Sequence, residues 1–550
     1  MKLRSFFSVL AGVVIVLLLI GTVGAYWLTA RSAAQLPKQT ATQPTTAMFV
    51  SRQAAAMVTL LSNPERLESF WLAETSPANR RQVQTGLRQL QQSLFANSGL
   101  DYDRDLKSWL GDEVTFALTT PDVNRDAADG LQPGYLLVLV ADDPELAQES
   151  VQAFWQRRAA RSLVFEQFAG VQLIHAAAKS AEQPNLTSAV VGGRYVLFAN
   201  YPKVLREALN NVQVPELNLE HSFTYEQALE KFPERKLGFV FVNFAQLGTW
   251  LTDSPLAAVL EKALPDRPSD QSRYEGLVAA LKPAAQGLLA DTIVLATAPI
   301  QLGRGSFTAA SPVLQFIPAN SKLAIASRDL QATWNQWQAQ IAEPWATRLQ
   351  QPWIDLQQQW GLQFPADAFD WVNGEYALAQ VPHSGHTDWI FVAQRSAETG
   401  AGIEQLDQIA QQQGVSIGSL SLDDQTIYAW TKLKAQPLKN QSGATLQAEV
   451  QGVRTTVGDY EIFATSLEAM EQALAARSTS DIKDAVSQLQ TPNQGYLYLN
   501  QEPLEQLLRS IRGFELPKAL SDSLRSAVVS SYGTDEAGLR GEILLQFNRA

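Results

Sequence analysis

Cysteine is absent from the 550-residue chain. That absence removes disulfides, thiolate metal sites, iron–sulfur ligation and a cysteine nucleophile together. Histidine is scarce, with only His175, His221, His383 and His386 present. Basic runs are missing as well, and the formal net charge is −12. Such a balance repels phosphate backbones, so no nucleic-acid partner is expected. Charged residues make up 18% and apolar residues 46% of the chain, which describes a globular protein rather than a disordered one.

One long apolar run is present. From Phe6 to Leu28, FFSVLAGVVIVLLLIGTVGAYWL carries no charge. As a helix it would be about 34 Å long, enough for a hydrocarbon core of about 30 Å. Tyr26 and Trp27 fall where an interfacial aromatic pair belongs. Lys2 and Arg4 precede the run, Arg31 and Lys38 follow it, and the very short N-terminal side favours a cytoplasmic N-terminus with the bulk exported. Val23 and Ala25 also fit a signal-peptide cleavage site, so secretion after cleavage is the alternative. The run exceeds the roughly 7–15 residues of a signal core, which makes a retained anchor the preferred reading. Residues 1–31 therefore read as a transmembrane anchor, and 32–47, SAAQLPKQTATQPTTA, as a flexible tether.

Beyond the tether the chain repeats itself. GLDYDRDLKSWLGDEVTFAL aligns without a gap on GLQFPADAFDWVNGEYALA, placing Gly99 on Gly361, Asp105 on Asp367, Trp109 on Trp371 and Glu113 on Glu375. FVSRQAAAMVTLLSNPERLESFW from Phe49 parallels FIPANSKLAIASRDLQATW from Phe316. GYLLVLVADDPELAQESVQAFW from Gly134 faces DWIFVAQRSAETGAGIEQLDQIA from Asp388, each a strand followed by an amphipathic helix. VVGGRYVLFANYPKVLREAL from Val190 matches TVGDYEIFATSLEAMEQAL from Thr456, with glycine at both hairpin positions. GFVFVN at Gly238 then meets GYLYLN at Gly495. Collinear matches of this kind divide the chain into two homologous lobes, 48–310 and 311–550. Strands and helices alternate, while short turns join several strands. The expected fold class is α+β, with antiparallel or mixed sheets and packed helices in each lobe.

The N-terminal span, the opening at Phe49 and the Gly99–Leu118 segment resemble a cyanobacterial family of single-span membrane-anchored proteins defined by a domain of unknown function. The resemblance covers nearly the whole exported chain. It implies an envelope or thylakoid setting, with the body in the periplasm or thylakoid lumen, and supplies no catalytic residues.

Candidate chemistry is thin. GVSIG, 414–418, fits the G-x-S-x-G pattern around Ser416, but the preceding segment is helical and no histidine follows His386. HSGHTD groups His383, His386 and Asp388 between two strand-like runs, without the one-face spacing of a helical zinc motif. DVNRDAADG from Asp122 has Ala127 where a calcium loop needs glycine, and Pro133 where it needs glutamate. Ser480 and Lys483 have S-x-x-K spacing in what reads as a helix start. No metal or cofactor is expected. Trp334, Trp337, Trp345, Trp353 and Trp360 crowd one helical stretch, which reads as core packing or, alternatively, as a face for an apolar ligand or partner helix. Glu113 and Glu375 recur before an apolar run in both lobes. If the lobes faced one another the two carboxylates could pair, raising one pKa for general-acid work. The simpler reading is that each caps backbone donors or pairs with a cation in its own lobe. These features point to a membrane-tethered, non-enzymatic binding or scaffold protein with a protein partner. A carrier or chaperone for a hydrophobic ligand is the alternative, and a carboxylate-based enzyme comes third.

Overall fold

A computed structural model describes residues 43–62, 100–125, 132–158, 163–176, 185–232, 236–250, 274–284, 287–296, 306–328, 330, 371–383, 386–422, 425–437, 444–476, 481–509, 524–534 and 538–547. The Phe6–Leu28 span and all five tryptophans from Trp334 to Trp360 lie outside them. Among the described residues no helix is long and apolar enough to cross a membrane. The described residues fall into two compact units. The first is drawn from 8–300, 508–525 and 534–550, and the second from 301–507 and 526–533.

In the first unit the strands are β1 (Ala56–Leu60), β2 (Leu110–Thr120), β3 (Gly134–Ala141), β4 (Leu163–Phe168), β5 (Val171–Ala176), β6 (Thr187–Val191), β7 (Tyr195–Ala199), β8 (Gly238–Asn243), β9 (Tyr274–Ala284) and β10 (Gly287–Ala296). The second unit has β11 (Leu323–Arg328), β12 (Glu375–His383), β13 (His386–Gln394), β14 (Ser416–Leu422), β15 (Gln425–Pro437), β16 (Ala444–Val457), β17 (Tyr460–Ala464), β18 (Gly495–Asn500) and β19 (Leu524–Thr534). The last strand, β20 (Gly538–Phe547), pairs with β10 and counts with the first unit.

Within the first unit the strand order is β4-β5-β6-β7-β3-β2-β1-β8-β9-β10-β20. Within the second it is β14-β15-β16-β17-β13-β12-β11-β18-β19. The first nine places of the first order recur in the second, with β14 in the place of β4, β18 in the place of β8 and β19 in the place of β9. Each of these ladders is antiparallel. This corrects the expected α+β class: twenty antiparallel strands carry the described residues and the helices are few. The extra strands escape a sequence reading for a physical reason. β4 and β14 expose residues on both faces, so neither shows the apolar alternation that marks a half-buried strand.

The central strands instead are apolar throughout because both of their faces are covered. Val196 and Phe198 of β7 join a core with Ala147, Val151, Phe154 and Trp155 of α1 (Pro144–Arg157), whose first turn is capped by the Asp143 side chain. The intervening Leu197 and Ala199 face the opposite core, with Val204, Leu205, Ala208 and Leu209 of α2 (Pro202–Gln213) and with Tyr225 of α3 (Phe223–Glu230). In the second unit α4 (Thr399–Gln412) and α5 (Leu467–Ala475) follow β13 and β17 as α1 and α2 follow β3 and β7. Positive φ at Gly193 and Gly458, 69° and 59°, turns the β6–β7 and β16–β17 hairpins.

Candidate functional site

The repeated glutamate begins as a backbone problem. Between Leu110 and Val114 the β2–β3 register shifts, and the strand passes so close to its neighbour that a Cβ at Gly111 would lie 2.9 Å from the Val140 carbonyl oxygen. Within this irregularity Glu113 is only 4% exposed. Its Oε1 accepts from the Thr45 and Thr46 backbone N–H groups at 2.7 and 2.8 Å and from Thr46 Oγ1 at 2.7 Å. Oε2 accepts from Thr45 Oγ1 at 2.7 Å. The carboxylate thus satisfies donors at the start of the Thr46–Phe49 3-10 turn, where a negative charge is favoured. Because Thr46 donates to Glu113, Thr115 Oγ1 donates to Thr46 at 2.5 Å and Thr59 Oγ1 to Thr115 at 2.6 Å, a buried hydroxyl chain ending on the carboxylate. Nearby, burial first, then the charges of Glu113 and Glu220, push the Tyr225 phenol far above its ordinary pKa.

Glu375 does the same work with fewer contacts. Ser311 Oγ donates to its Oε2 at 2.6 Å and also accepts from Val313 N, capping the Pro312–Phe316 turn. Arg328 Nη2 stands 3.8 Å from Oε1. Each glutamate therefore has partners from its own unit and ties down the turn that opens it. Sequence reasoning missed Thr45, Thr46 and Ser311, and placed the two threonines in the tether. The available signal was a hydroxyl four or five positions before the aligned Phe49 and Phe316.

Ahead of Glu113, the repeated Asp105 sits in a π-helical turn, Tyr102–Leu106. Arg104 Nε and Nη2 donate to it at 3.0 and 3.2 Å, Asp101 N at 2.9 Å, and Arg157 of α1 also pairs with it. Burial alone would raise the Asp105 pKa, but the Arg104 hydrogen bond, the Asp101 backbone and both guanidinium charges outweigh it and hold the carboxyl low. Trp109, fully buried, donates from Nε1 to the Asp105 carbonyl at 2.7 Å. Its counterpart Trp371 is buried against α4 so tightly that a Cβ on Gly402 would lie 2.2 Å from the ring. Asp367 and Gly361 lie outside the described residues.

A second charged group crosses β9, β10 and β20. Lys236 Nζ donates to Asp291 Oδ2 at 3.0 Å, Lys282 Nζ lies 3.1 Å from Asp291 Oδ1 and 3.8 Å from Glu542 Oε1, and Asp291 stands opposite Glu542 in the ladder. In the second unit, Asp407 of α4 accepts from Trp430 Nε1 at 2.8 Å and from Arg454 Nη2 at 3.1 Å. A small apolar pocket of about 20 Å³ lies beside Asp407, lined by Leu406, Ile409, Ala410, Val415, Trp430 and Gln451.

The sequence-selected polar residues settle into simple positions. Ser416 opens a strand after a helix and a Gly414 turn, the reverse of a nucleophile elbow. His383 and His386 face each other across the β12–β13 hairpin. His383 Nδ1 bonds Asp388 Oδ2 at 2.5 Å and Nε2 meets Glu468 Oε2 at 2.7 Å, so its two nitrogens face different carboxylates and do not converge with them on one ion. Asp388 also accepts from Ser466 and Thr465. The Asp388 hydrogen bond, opposed by slight desolvation and aided by the charges of Asp388 and Glu468, raises the His383 pKa. A raised folded value means that this hairpin-to-α5 contact is complete below the unfolded histidine value and is lost as pH rises through the folded one. An NMR titration of His383 is expected to give a midpoint above about 6.5 that moves down in Asp388→Asn.

The conspicuous open feature is β14. It pairs with β15 from Ser416↔Thr431 to Leu422↔Gln425, and among the described residues nothing pairs with its other edge. Leu420, Leu433 and Val450, which share one face of the β14–β16 ladder, are 37%, 60% and 44% exposed.

A family described as "Protein of unknown function (DUF3352)" matches residues 10–547. The chain belongs to the DUF3352 family. No curated protein matches it. Two solved structures are similar in outline, crystal forms I and III of TP0453, each 8% identical. Form I covers 47% of this chain and 82% of its own with a TM-score of 0.26; form III covers 49% and 84% with 0.24. Scores so low carry no argument. The DUF3352 match spans both copies of the repeated Trp–Glu segment, Trp109–Glu113 and Trp371–Glu375.

Proposed function

We propose that this DUF3352 chain is a membrane-tethered, non-catalytic binding or scaffold protein. Its body works on the exported face of a membrane, in the periplasm or thylakoid lumen of a cyanobacterium. The observation that carries the reading is the open β14 edge with its adjoining Leu420, Leu433 and Val450 face. An uncovered strand edge beside apolar surface is a template for backbone pairing and needs a partner. The uncharged Phe6–Leu28 run supports tethering. The use of Glu113, Glu375 and Asp105 as ties within their own units supports a binding rather than a catalytic role. Crosslinking of native membranes followed by peptide identification is expected to recover a reproducible protein partner, and repeated recovery of none would contradict it.

A second reading is favoured by the crowding of Trp334, Trp337, Trp345, Trp353 and Trp360 in one stretch of the sequence: a carrier or chaperone for a hydrophobic ligand. Native mass spectrometry of the gently extracted chain separates the readings, since a carrier retains a bound small molecule and a scaffold does not.

A further inference from the structure

Resting on the binding-protein reading, we infer that the occupant of the β14 edge is β14 of a second copy of this chain, paired antiparallel about a two-fold axis at Ser419. The strand SIGSLSL has none of the devices that keep an edge single. It holds no charge and no proline, and its ladder with β15 runs without a register shift. Ser416, Gly418, Ser419 and Ser421 are exposed, and a Cβ built on Gly418 meets nothing within 4 Å.

Charge selects the partner. A net charge of −12 opposes association of two copies wherever like charges would meet. The paired stretch, Ser416–Leu422 on Gln425–Thr431, has no acidic or basic residue at all. The equivalent edge strand in the first unit differs. β4 carries Glu166, held by Arg206 Nε and Nη2 at 2.7 and 2.8 Å, so self-pairing there would bring the two copies' carboxylates together.

Size complementarity selects the register. With the axis at Ser419, Ile417 faces Ser421, Gly418 faces Leu420 and Ser416 faces Leu422. Every large side chain then stands opposite a small one. A single edge of this kind per chain closes as an isologous dimer and does not extend into a fibre.

The absence of cysteine makes the test direct. Antiparallel partners have Cα atoms about 4.5–5.5 Å apart, inside the disulfide range. The full-length chain in detergent is expected to be dimeric by light scattering, and Ser419→Cys is expected to form an interchain disulfide under mild oxidation. Ser416→Cys alone is expected not to crosslink, its twin being about 20 Å away, whereas Ser416→Cys mixed with Leu422→Cys is. Ser419→Lys, an exposed change, is expected to give a folded monomer. A monomeric wild type at tens of micromolar, or equal disulfide yields at 416 and 419, overturns the proposal. Capture of a different protein by a probe at Ser419 also overturns it while leaving the binding reading standing; no capture of either kind at β14 overturns both.

Discussion

Glu113→Ala is expected to lower stability by about 3–5 kcal/mol. In a unit of this size that is on the order of 10 °C in the thermal midpoint. The truncation strips the acceptor from two backbone N–H groups and two threonine hydroxyls at the start of the Thr46–Phe49 turn. The Thr46 donors are buried beside Phe49 and Thr45 is half-buried, so water does not replace the carboxylate at Thr46 without opening the core. Glu113→Gln keeps one acceptor oxygen and the shape, and is expected to cost less. Glu375→Ala loses one short bond from Ser311 and a long contact from Arg328, and about 1–2 kcal/mol is expected. Calorimetry on the three variants checks the ranking. Equal losses at Glu113 and Glu375 would show that the clamp geometry is not what the two copies use the residue for.

Asp291→Ala is the other large expectation. It removes the carboxylate 3.0 Å from the Lys236 ammonium, which is 2% exposed, and the nearer acid from Lys282. Removing one member of a buried ion pair costs about 3–5 kcal/mol. The pair is also pH-sensitive in a definite direction. Burial pushes the Asp291 pKa up, but hydrogen bonds and charge from Lys236 and Lys282 prevail and hold it below its ordinary value. A depressed folded pKa contributes stability that is present above the unfolded value, about 4, and is lost as pH falls through the folded one. Acid unfolding followed by near-ultraviolet circular dichroism is expected to show a limb below about pH 4 that flattens in Asp291→Asn. Replacing both members, Lys236→Met with Asp291→Leu, is expected to recover most of the loss.

Legibility of the fold in the sequence followed burial. Trp109 and Trp371 fixed the repeat register because fully buried aromatics tolerate few alternatives, and β3, β7 and their helices were visible as apolar runs followed by capped periodic segments. β4, β14 and the outer halves of β15 and β16 were not. Exposed edge strands alternate nothing, so the strand content was underestimated and the α+β expectation failed. The roles of Glu113 and Asp291 were hidden for a different reason. Their partners include Thr45 and Lys236, and such pairings exist only after segments far apart in sequence are brought side by side. A carboxylate repeated in two copies looks the same in sequence whether it reacts or clamps.

The most direct test of the account is a photo-crosslinker placed in turn at Ser419, Leu433 and, on the first unit's edge, Phe165, in the full chain in its native membrane. Protein adducts concentrated at Ser419 and Leu433 are the expected result; adducts at none of the three, or at Phe165 alone, would contradict a binding protein that works through β14.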